Sequence, residues 1–388
     1  MNNKLDYGLE VTSVTEFLDY IIRGTEKEQE TFNLYYRGEA AVFPYRTPNL
    51  YLNDKLVREG SEYYYRSLLN ELGRTDYKDS SSLFQLLSEL QHYEAKTRML
   101  DITSNPLVAL YFATETISKD SADNLDGNVY LFKEEKGKEK FDTGHTVAIK
   151  SALNLVPQEK INTFLMTITK IIANLGDRDD LRQYENGRPR YFLYESTDEL
   201  ISDVESWSDF IENDRSLGWM FLGSPICGIL NEEEYKAFCE ALEVAKDEDK
   251  IFRETLNRIL EEFLELLNQR AKINEKLKYP VRIYADLCDS HIVLSSKRTD
   301  RLRQQQGAFI YPCFTSTVEA YSLDQIKSKI HDSIMEKSTT INYQGNEYTH
   351  IIIPKVSKGV IRKELALIGI DEGFIFPDIK HRSSALLK

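Results

Sequence analysis

Cysteine is scarce in this 388-residue chain, and its placement excludes more than its number does. Cys227, Cys239, Cys288 and Cys313 form no CxxC pair and have no histidine at ligand spacing. Neither a zinc site nor a disulfide framework is expected; the thiols read as free and buried, in a cytoplasmic setting. Positive charge is short as well. With 49 Lys and Arg against 63 Asp and Glu, the net charge is -14, which argues against general steering toward nucleic acid or an anionic membrane. There is also no clustered acidic motif for a metal, which counts further against nucleic-acid processing. No apolar stretch reaches the length of a bilayer span, and the opening MNNKLDYGLEVTS has no apolar signal-like region. Internal repeats and low-complexity tracts are absent too. What remains is ordinary hydrophobic content, 41% of residues. That is enough to bury a sizeable core, as two or three domain-sized units or as one core carrying a large insertion.

The hydrophobic pattern divides the chain in three. In residues 1–150, SVTEFLDYII predicts a helix, with Ser13 and Glu16 spaced as a capping box ahead of Val14, Phe17, Leu18 and Ile21. TFNLYYRGEA predicts a strand breaking at Gly38. VREGSEYYYRSLLNELG predicts a helix with Tyr64, Leu68 and Leu72 on one face, and SLFQLLSELQHY one with Phe84, Leu87 and Leu90. Asn105 is a good N-cap and Pro106 suits the first helical position, so LVALYFATE predicts a buried helix, followed by a strand at GNVYLF. Residues 151–278 read as a mostly helical insertion. It carries amphipathic stretches over Ile161–Ile172 and Phe252–Leu267, a further helix at NEEEYKAFCEALEVAK, and an acidic run from Tyr194 to Ser216. Residues 279–388 return to strand-like sequence at YPVRIYADL and HIIIPK, with RLRQQQGAFIYP between them, and end in a helix and GFIFPDIK.

Three polar clusters adjoin these core elements. The first, Tyr36-Arg37-Gly38, ends the central strand: the glycine permits close approach, and the arginine fork suits a phosphate. The same arginine would equally pair with a core carboxylate such as Asp101. The second is LQHYEAKTRMLDITSN, which places His92, Tyr93, Arg98, Asp101, Thr103 and Ser104 ahead of a helix N-terminus. There the hydroxyls either help hold an anion or merely cap the helix. Arg98 and Asp101 are candidates for a buried ion pair, and His92 and Tyr93 for either a structural or a ligand contact. The third cluster runs from Arg301 to Phe309. Its glutamines, Gln304, Gln305 and Gln306, can hydrogen-bond a hydroxyl or an amide but cannot act as acid or base.

These clusters, in this order, resemble the FRG domain family, named for an (F/Y)-R-G motif that stands here as Tyr36-Arg37-Gly38. The family's central motif runs close to QHYGxPTRLLDWTxSPLVALYFA. This chain matches it at Gln91, His92, Tyr93, Thr97, Arg98, Leu100, Asp101, Thr103 and from Pro106 onward. It departs at Glu94, Lys96 and Ile102, where Gly, Pro and Trp are usual. The resemblance spans about Thr31 to Phe132 and resumes between Tyr279 and Tyr311.

A weaker resemblance reaches ADP-ribosyltransferases of the Arg-Ser-Glu type, through Arg37-Gly38, Thr103-Ser104 and Ala109–Ala113. It implies an α+β fold: an ADP-ribosyltransferase-like mixed β core with flanking helices, interrupted by the helical insertion. It also implies a nucleotide-like ligand, with NAD as candidate substrate and no metal. On this resemblance Arg37, Thr103, Ser104 and Gln306 would be the catalytic group, with Gln306 where those enzymes carry glutamate. Tyr36, Gly38, His92, Tyr93, Arg98, Asp101 and Gly307 would bind the ligand. A glutamine adds no negative charge to steady a developing cation. The chemistry is therefore altered, or its carboxylate comes from Glu39, Glu94 or Asp101, or the fold binds without catalysis. By analogy the activity is NAD-dependent ADP-ribosyl transfer or NAD cleavage in a bacterial toxin or defence effector, with a protein target. The rival expectation is a non-catalytic sensor or scaffold whose insertion docks a partner.

Overall fold

The fold is built outward from Phe32–Glu39, whose side chains alternate between two cores. Tyr36 enters one and Tyr35 the other, as the period of a strand requires. The computed structural model describes residues 8–74, 77, 80–116, 125–176, 184–185, 188–203, 248–318, 321–378 and 383. In chain order the principal elements begin with β1 (Gly8–Glu10), α1 (Val14–Gly24), β2 (Phe32–Glu39), α2 (Glu62–Glu71) and α3 (Ser80–His92). Next come β3 (Leu100–Thr103), α4 (Pro106–Ala113), β4 (Gly127–Glu135), β5 (Lys140–Phe141), α5 (His145–Ala152) and α6 (Gln158–Gly176). After them follow α7 (Glu248–Ala271), α8 (Pro280–Cys288), β6 (His291–Leu294), α9 (Asp300–Gln304) and β7 (Gly307–Tyr311). The last are α10 (Leu323–Met335), β8 (His350–Ile353) and α11 (Lys358–Leu367).

The class is α+β. Eight strands form one sheet in the order β1-β8-β4-β2-β3-β7-β6-β5. Only the outermost pairs, β1 with β8 and β5 with β6, are parallel; the inner pairs are antiparallel. The sheet is strongly joined everywhere but at its middle. All eight residues of β2 pair with β4, whereas β2 and β3 share one pair, Tyr36 with Thr103. β3 pairs with β7 along its whole length. The result is two half-sheets held by a one-residue seam.

Three apolar clusters cover the faces. On one face, α1, α4 and α11 pack over Tyr36, Val129, Leu131, Ile351 and Ile353. Beside them, α2, α3, α5, α6, α7 and α8 pack with Val293, Phe309 and Tyr311 of the other half-sheet. The opposite face, which carries Tyr35, Tyr130, Leu100, Ile102 and Ile310, is covered by Ile326, Ile330 and Ile334 of α10 and by Leu50 and Tyr51. The helices between residues 151 and 278 thus share their apolar cluster with helical residues that precede them in sequence and with helix and strand residues that follow them. Among the described residues, no helix is long and apolar enough to cross a membrane.

Local signals explain most boundaries. Ser13 Oγ accepts from Glu16 N at 3.2 Å, while the Glu16 carboxylate bonds Thr12 N at 2.8 Å instead of the N-cap amide. Asn105 Oδ1 accepts from Leu107 N at 3.0 Å with Pro106 opening the helix. Two expectations fail. YPVRIYADL is α8, not a strand: Pro280 takes the first helical position, and Val281, Ile283 and Leu287 are buried. In α2 the buried residues are Tyr65 and Leu69, with Leu72 48% exposed, so the buried stripe is turned by one residue. The expected helix at 231–246 and most of the acidic run lie outside the described residues, as do Cys227 and Cys239.

Glycines set the height of α4 above the sheet. A Cβ on Gly38 would lie 1.8 Å from the Ala109 carbonyl oxygen, and one on Gly127 would lie 2.0 Å from that of Ala113. Both neighbours are backbone, which no rotamer change can move aside. Glu94 illustrates the reverse case. It sits at φ 65°, in the left-handed region, which explains why glycine is usual at this place in the resembling pattern. Two outcomes are expected in urea denaturation. Gly38→Ala loses about 1–3 kcal/mol through overpacking against a rigid helix. Glu94→Gly gains about 1 kcal/mol by releasing a strained backbone; a loss on Glu94→Gly would show that the Glu94 side chain is itself needed.

Candidate functional site

Past Tyr36 and Thr103, strands β2 and β3 part, and the gap between them is occupied by side chains. Arg37 projects into it. Its Nη1 donates to the Asp101 carbonyl at 2.9 Å, replacing a ladder bond that the diverging strands cannot make, and its Nε donates to Glu39 Oε1 at 2.9 Å. Arg37 and Glu39 meet because residues two apart on a strand share a face. The carboxylate partner of Arg37 is therefore Glu39, whose side chain is 3% exposed, and not Asp101. Asp101 turns its own carboxylate to Gln91, whose Nε2 donates to Oδ2 at 2.7 Å. Gln91 is held in turn by Thr97 Oγ1 at 2.7 Å, and Thr97 N donates to Asn49 Oδ1.

On the Glu39 side a second cation closes the arrangement. Arg46 lies 3.8 Å from Glu39 Oε2, its guanidinium 3.5 Å above the Tyr130 ring, which stacks on His350. Tyr130 is the cross-strand partner of both Arg37 and His350. Two arginines thus face one buried carboxylate, with an aromatic row beneath them.

The strand gap opens into two cavities that share Arg37, Gln91 and Asp101. One, of about 210 Å³, is walled by Tyr36, Gly38, Thr103 and Phe112 on one side and by Arg301, Gln305 and Gly307 on the other. The second, of about 320 Å³, is lined by Glu39, Tyr45, Arg46, Asn49 and Lys327. Burial raises the Tyr36 hydroxyl to about 12, so it stays protonated and can donate. Burial lowers Arg301, while Asp101, Asp378, Glu115 and Glu94 pull it the other way. The Arg301 guanidinium lies 4.8 Å from the Phe376 ring centre.

The three sequence clusters meet on adjacent strands: Tyr36 pairs with Thr103, and Thr103 with Gly307. Of the residues anticipated at the site, Tyr36, Arg37, Gly38, Asp101, Thr103 and Gly307 line the 210 Å³ cavity. The others go elsewhere. Ser104 and Gln306 turn to each other, Ser104 Oγ lying 3.3 Å from Gln306 Oε1, and line a different cavity at the far end of β3. Arg98 is 2% exposed and forms no ion pair with Asp101. Its guanidinium donates to Gln158 at 3.0 Å and lies 5.1 Å from the centre of the Phe314 ring, so its charge is absorbed by the core. Tyr93 is 78% exposed, and the His92 side chain lies outside what is described. Thr103 has its hydroxyl engaged on both sides, donating to the Gln305 carbonyl and accepting from Asn105 N at 2.9 Å. Gly38 serves the seating of α4. The cleft residues not anticipated at the site are Gln91, Arg46, Phe112, Arg301 and Gln305. Gln91 and Phe112 belong to the quoted motif and Arg301 and Gln305 to the third cluster, whereas Arg46 is brought in by tertiary packing.

Removing Arg37 should show how its charge is shared. With Arg46 still 3.8 Å from Glu39, Arg37→Ala is expected to cost about 1.5–3 kcal/mol, the worth of a charge-assisted bond. A carboxylate left with no cation would cost about 3–5 kcal/mol. Arg37→Ala and Glu39→Gln should be non-additive by about 0.5–3 kcal/mol in chemical denaturation, whereas Arg37→Ala and Asp101→Asn should be close to additive. Strong coupling of Arg37 to Asp101 in place of Glu39 would contradict the geometry.

Residues 32–122 match the FRG domain family. No curated protein and no solved structure matches the chain. The matched segment supplies β2, α3, β3 and α4, and with them Arg37, Gln91, Asp101 and Phe112. The facing wall, Arg301 to Gly307, comes from outside it.

Proposed function

We propose that this chain, which carries an FRG domain at residues 32–122, binds a nucleotide-like ligand in the cleft around Arg37. The observation that carries the reading is the position of Arg37. It stands between two cavities with Nε and Nη1 engaged, which leaves Nη2 for an incoming acceptor. A fork anchored on two of its nitrogens is pre-organised for a phosphate oxygen. Arg301 adds a second cation to the same cavity, Tyr36 a neutral donor and Phe112 an aromatic surface. Gln91 and Gln305 add amides able to bond hydroxyls.

NAD is the candidate substrate, for ADP-ribosyl transfer to a protein or for hydrolysis. In either reaction the bond from the ribose to nicotinamide breaks, and its electron pair leaves with nicotinamide. The ribose carbon gains a bond to the acceptor or to water, which gives up a proton. A carboxylate near that carbon stabilises the positive charge that develops. Gln306 lies in another cavity, so the carboxylates at hand are Asp101, which lines both cavities of the cleft, and Glu39, whose Oε2 has no hydrogen-bond donor. The Asp101 Oδ2 is already oriented by Gln91.

Purified protein incubated with NAD decides the matter, with nicotinamide release and protein modification followed by mass spectrometry and ligand stabilisation by thermal melting. The reading expects NAD to raise the melting temperature, Arg37→Lys to reduce that shift and Arg37→Ala to abolish it. Asp101→Asn should keep the shift while slowing release. Stabilisation without release in the parent protein would favour a sensor. Absence of stabilisation by NAD, AMP and ADP-ribose alike would sink the proposal.

A further inference from the structure

At the other end of the seam the sheet carries an open edge. Asn33, Leu34 and Tyr35 pair with Glu134, Lys133 and Phe132 of β4; because Lys133 N donates away from β2, to the Lys337 carbonyl, Leu34 turns its own N–H and C=O to the other edge, where no backbone group among the described residues bonds them. That edge faces no strand among the described residues. β3 stops at Thr103 because Asn105 caps α4 and Pro106 opens it. β7 begins only at Gly307, after the turn that follows α9. Two strand positions are therefore vacant between β2 and the residues following β6. They form a cavity of about 520 Å³, walled by Asn33–Tyr35 on one side and Leu294–Lys297 on the other, with Ser104 and Gln306 between them. Phe141 is part of its lining and is 61% exposed.

The charge of this cavity is one-sided. Lys297 and Asp142 are its ionisable lining residues other than Tyr35. Asp142 is 4% exposed and already accepts from Ser296 N at 2.9 Å, whereas Lys297 is exposed. A second local feature is Gln306, at φ 47°. A left-handed backbone is strained for a residue that carries a side chain, and here it directs an amide toward Ser104 in the cavity.

We propose that this gap receives an extended peptide of another protein. The peptide continues the line of β3 and pairs its backbone with the free N–H and C=O of Leu34. An unpaired strand edge recognises a peptide through main-chain hydrogen bonds, and alternate side chains supply the specificity. Here those side chains are an apolar one against Phe141 and an acidic one toward Lys297. Gln306 and Ser104 offer an amide and a hydroxyl to the end of the peptide nearest Thr103. The inference stands apart from the nucleotide reading, because no residue of the Arg37, Gln91 and Asp101 group contributes to this cavity.

The test uses the full chain and an arrayed library of blocked decapeptides of alternating apolar and acidic composition. Hydrogen exchange reads the backbone. A bound peptide should slow exchange at the Leu34 amide and leave the β8 amides unchanged. N-methylation should weaken binding about tenfold at the one peptide residue that pairs with Leu34, the loss expected for one main-chain bond, and leave its two neighbours alone. Lys297→Glu and Phe141→Ala alter exposed side chains. Both should weaken the same peptides while preserving the apo melting temperature and any stabilisation by NAD. No protection of the Leu34 amide by any peptide overturns the proposal. So does equal loss on N-methylating consecutive residues, or undiminished binding to Lys297→Glu. Because peptide binding is measured without nucleotide, either reading can fail while the other survives.

Discussion

One hydrogen-bonded residue pair, Tyr36 with Thr103, joins the two halves of the sheet. On either side of it the strands part, and each parting leaves a cavity. This is a consequence of strand length. β3 has four residues and β2 has eight, so most of one edge of β2 cannot be satisfied by its neighbour. Buried backbone groups require partners, and the molecule meets that demand differently at the two ends. At one end the Arg37 side chain bonds the Asp101 carbonyl; at the other the edge is left open. Beside the seam, α4 packs on β2 and β4 of one half-sheet through Gly38 and Gly127.

The charges around the seam follow from the same geometry. Glu39 is buried on the face of β2 that also presents Arg37, and a buried carboxylate must be compensated. Arg37 supplies a bond at 2.9 Å and Arg46 a second cation at 3.8 Å. Arg46 in turn rests on Tyr130, whose ring stacks on His350. The cluster is cationic on balance and opens toward the cleft through Arg37. An anionic guest would complete it without displacing anything already bonded. Arg98 shows the contrasting solution: a guanidinium enclosed by a glutamine, two hydroxyls and aromatic rings, with no room for a ligand.

Much of this was legible in the sequence wherever the cause is local. Ser13, Asn105 and Pro106 mark helix starts through groups a few residues away, and the alternation of Phe32–Glu39 marks a strand. The three polar clusters were read as adjoining core elements, because each ends or begins a strongly apolar element, and they lie on the adjacent strands β2, β3 and β7. Pairing was not legible. Nothing in Arg37-Gly38-Glu39 says whether Glu39 or Asp101 takes the guanidinium, since that depends on how far two strands diverge. The choice between Gln305 and Gln306 turns on a single left-handed residue that sends the second glutamine to another cavity. Tyr279–Leu287 misled because a nine-residue stretch with a proline near its start and apolar residues at Val281, Ile283, Tyr284 and Leu287 suits a short helix as well as a strand.

Gly38 and Gly127 carry a consequence for workmanship. Helix α4 rests on the sheet through main-chain atoms at two points, and side chains do not act as shims between them. The separation of helix and strands is therefore fixed by covalent geometry, and core substitutions elsewhere cannot widen or narrow it by small degrees. One wall of the cleft, Phe112 and Val108 on α4, keeps a constant standoff from Tyr36 and Arg37 on β2. The opposite wall, borne on α9 and the turn after it, has no such gauge. Variation in what the cleft accepts has one free dimension, and it lies on the side of Arg301 and Gln305.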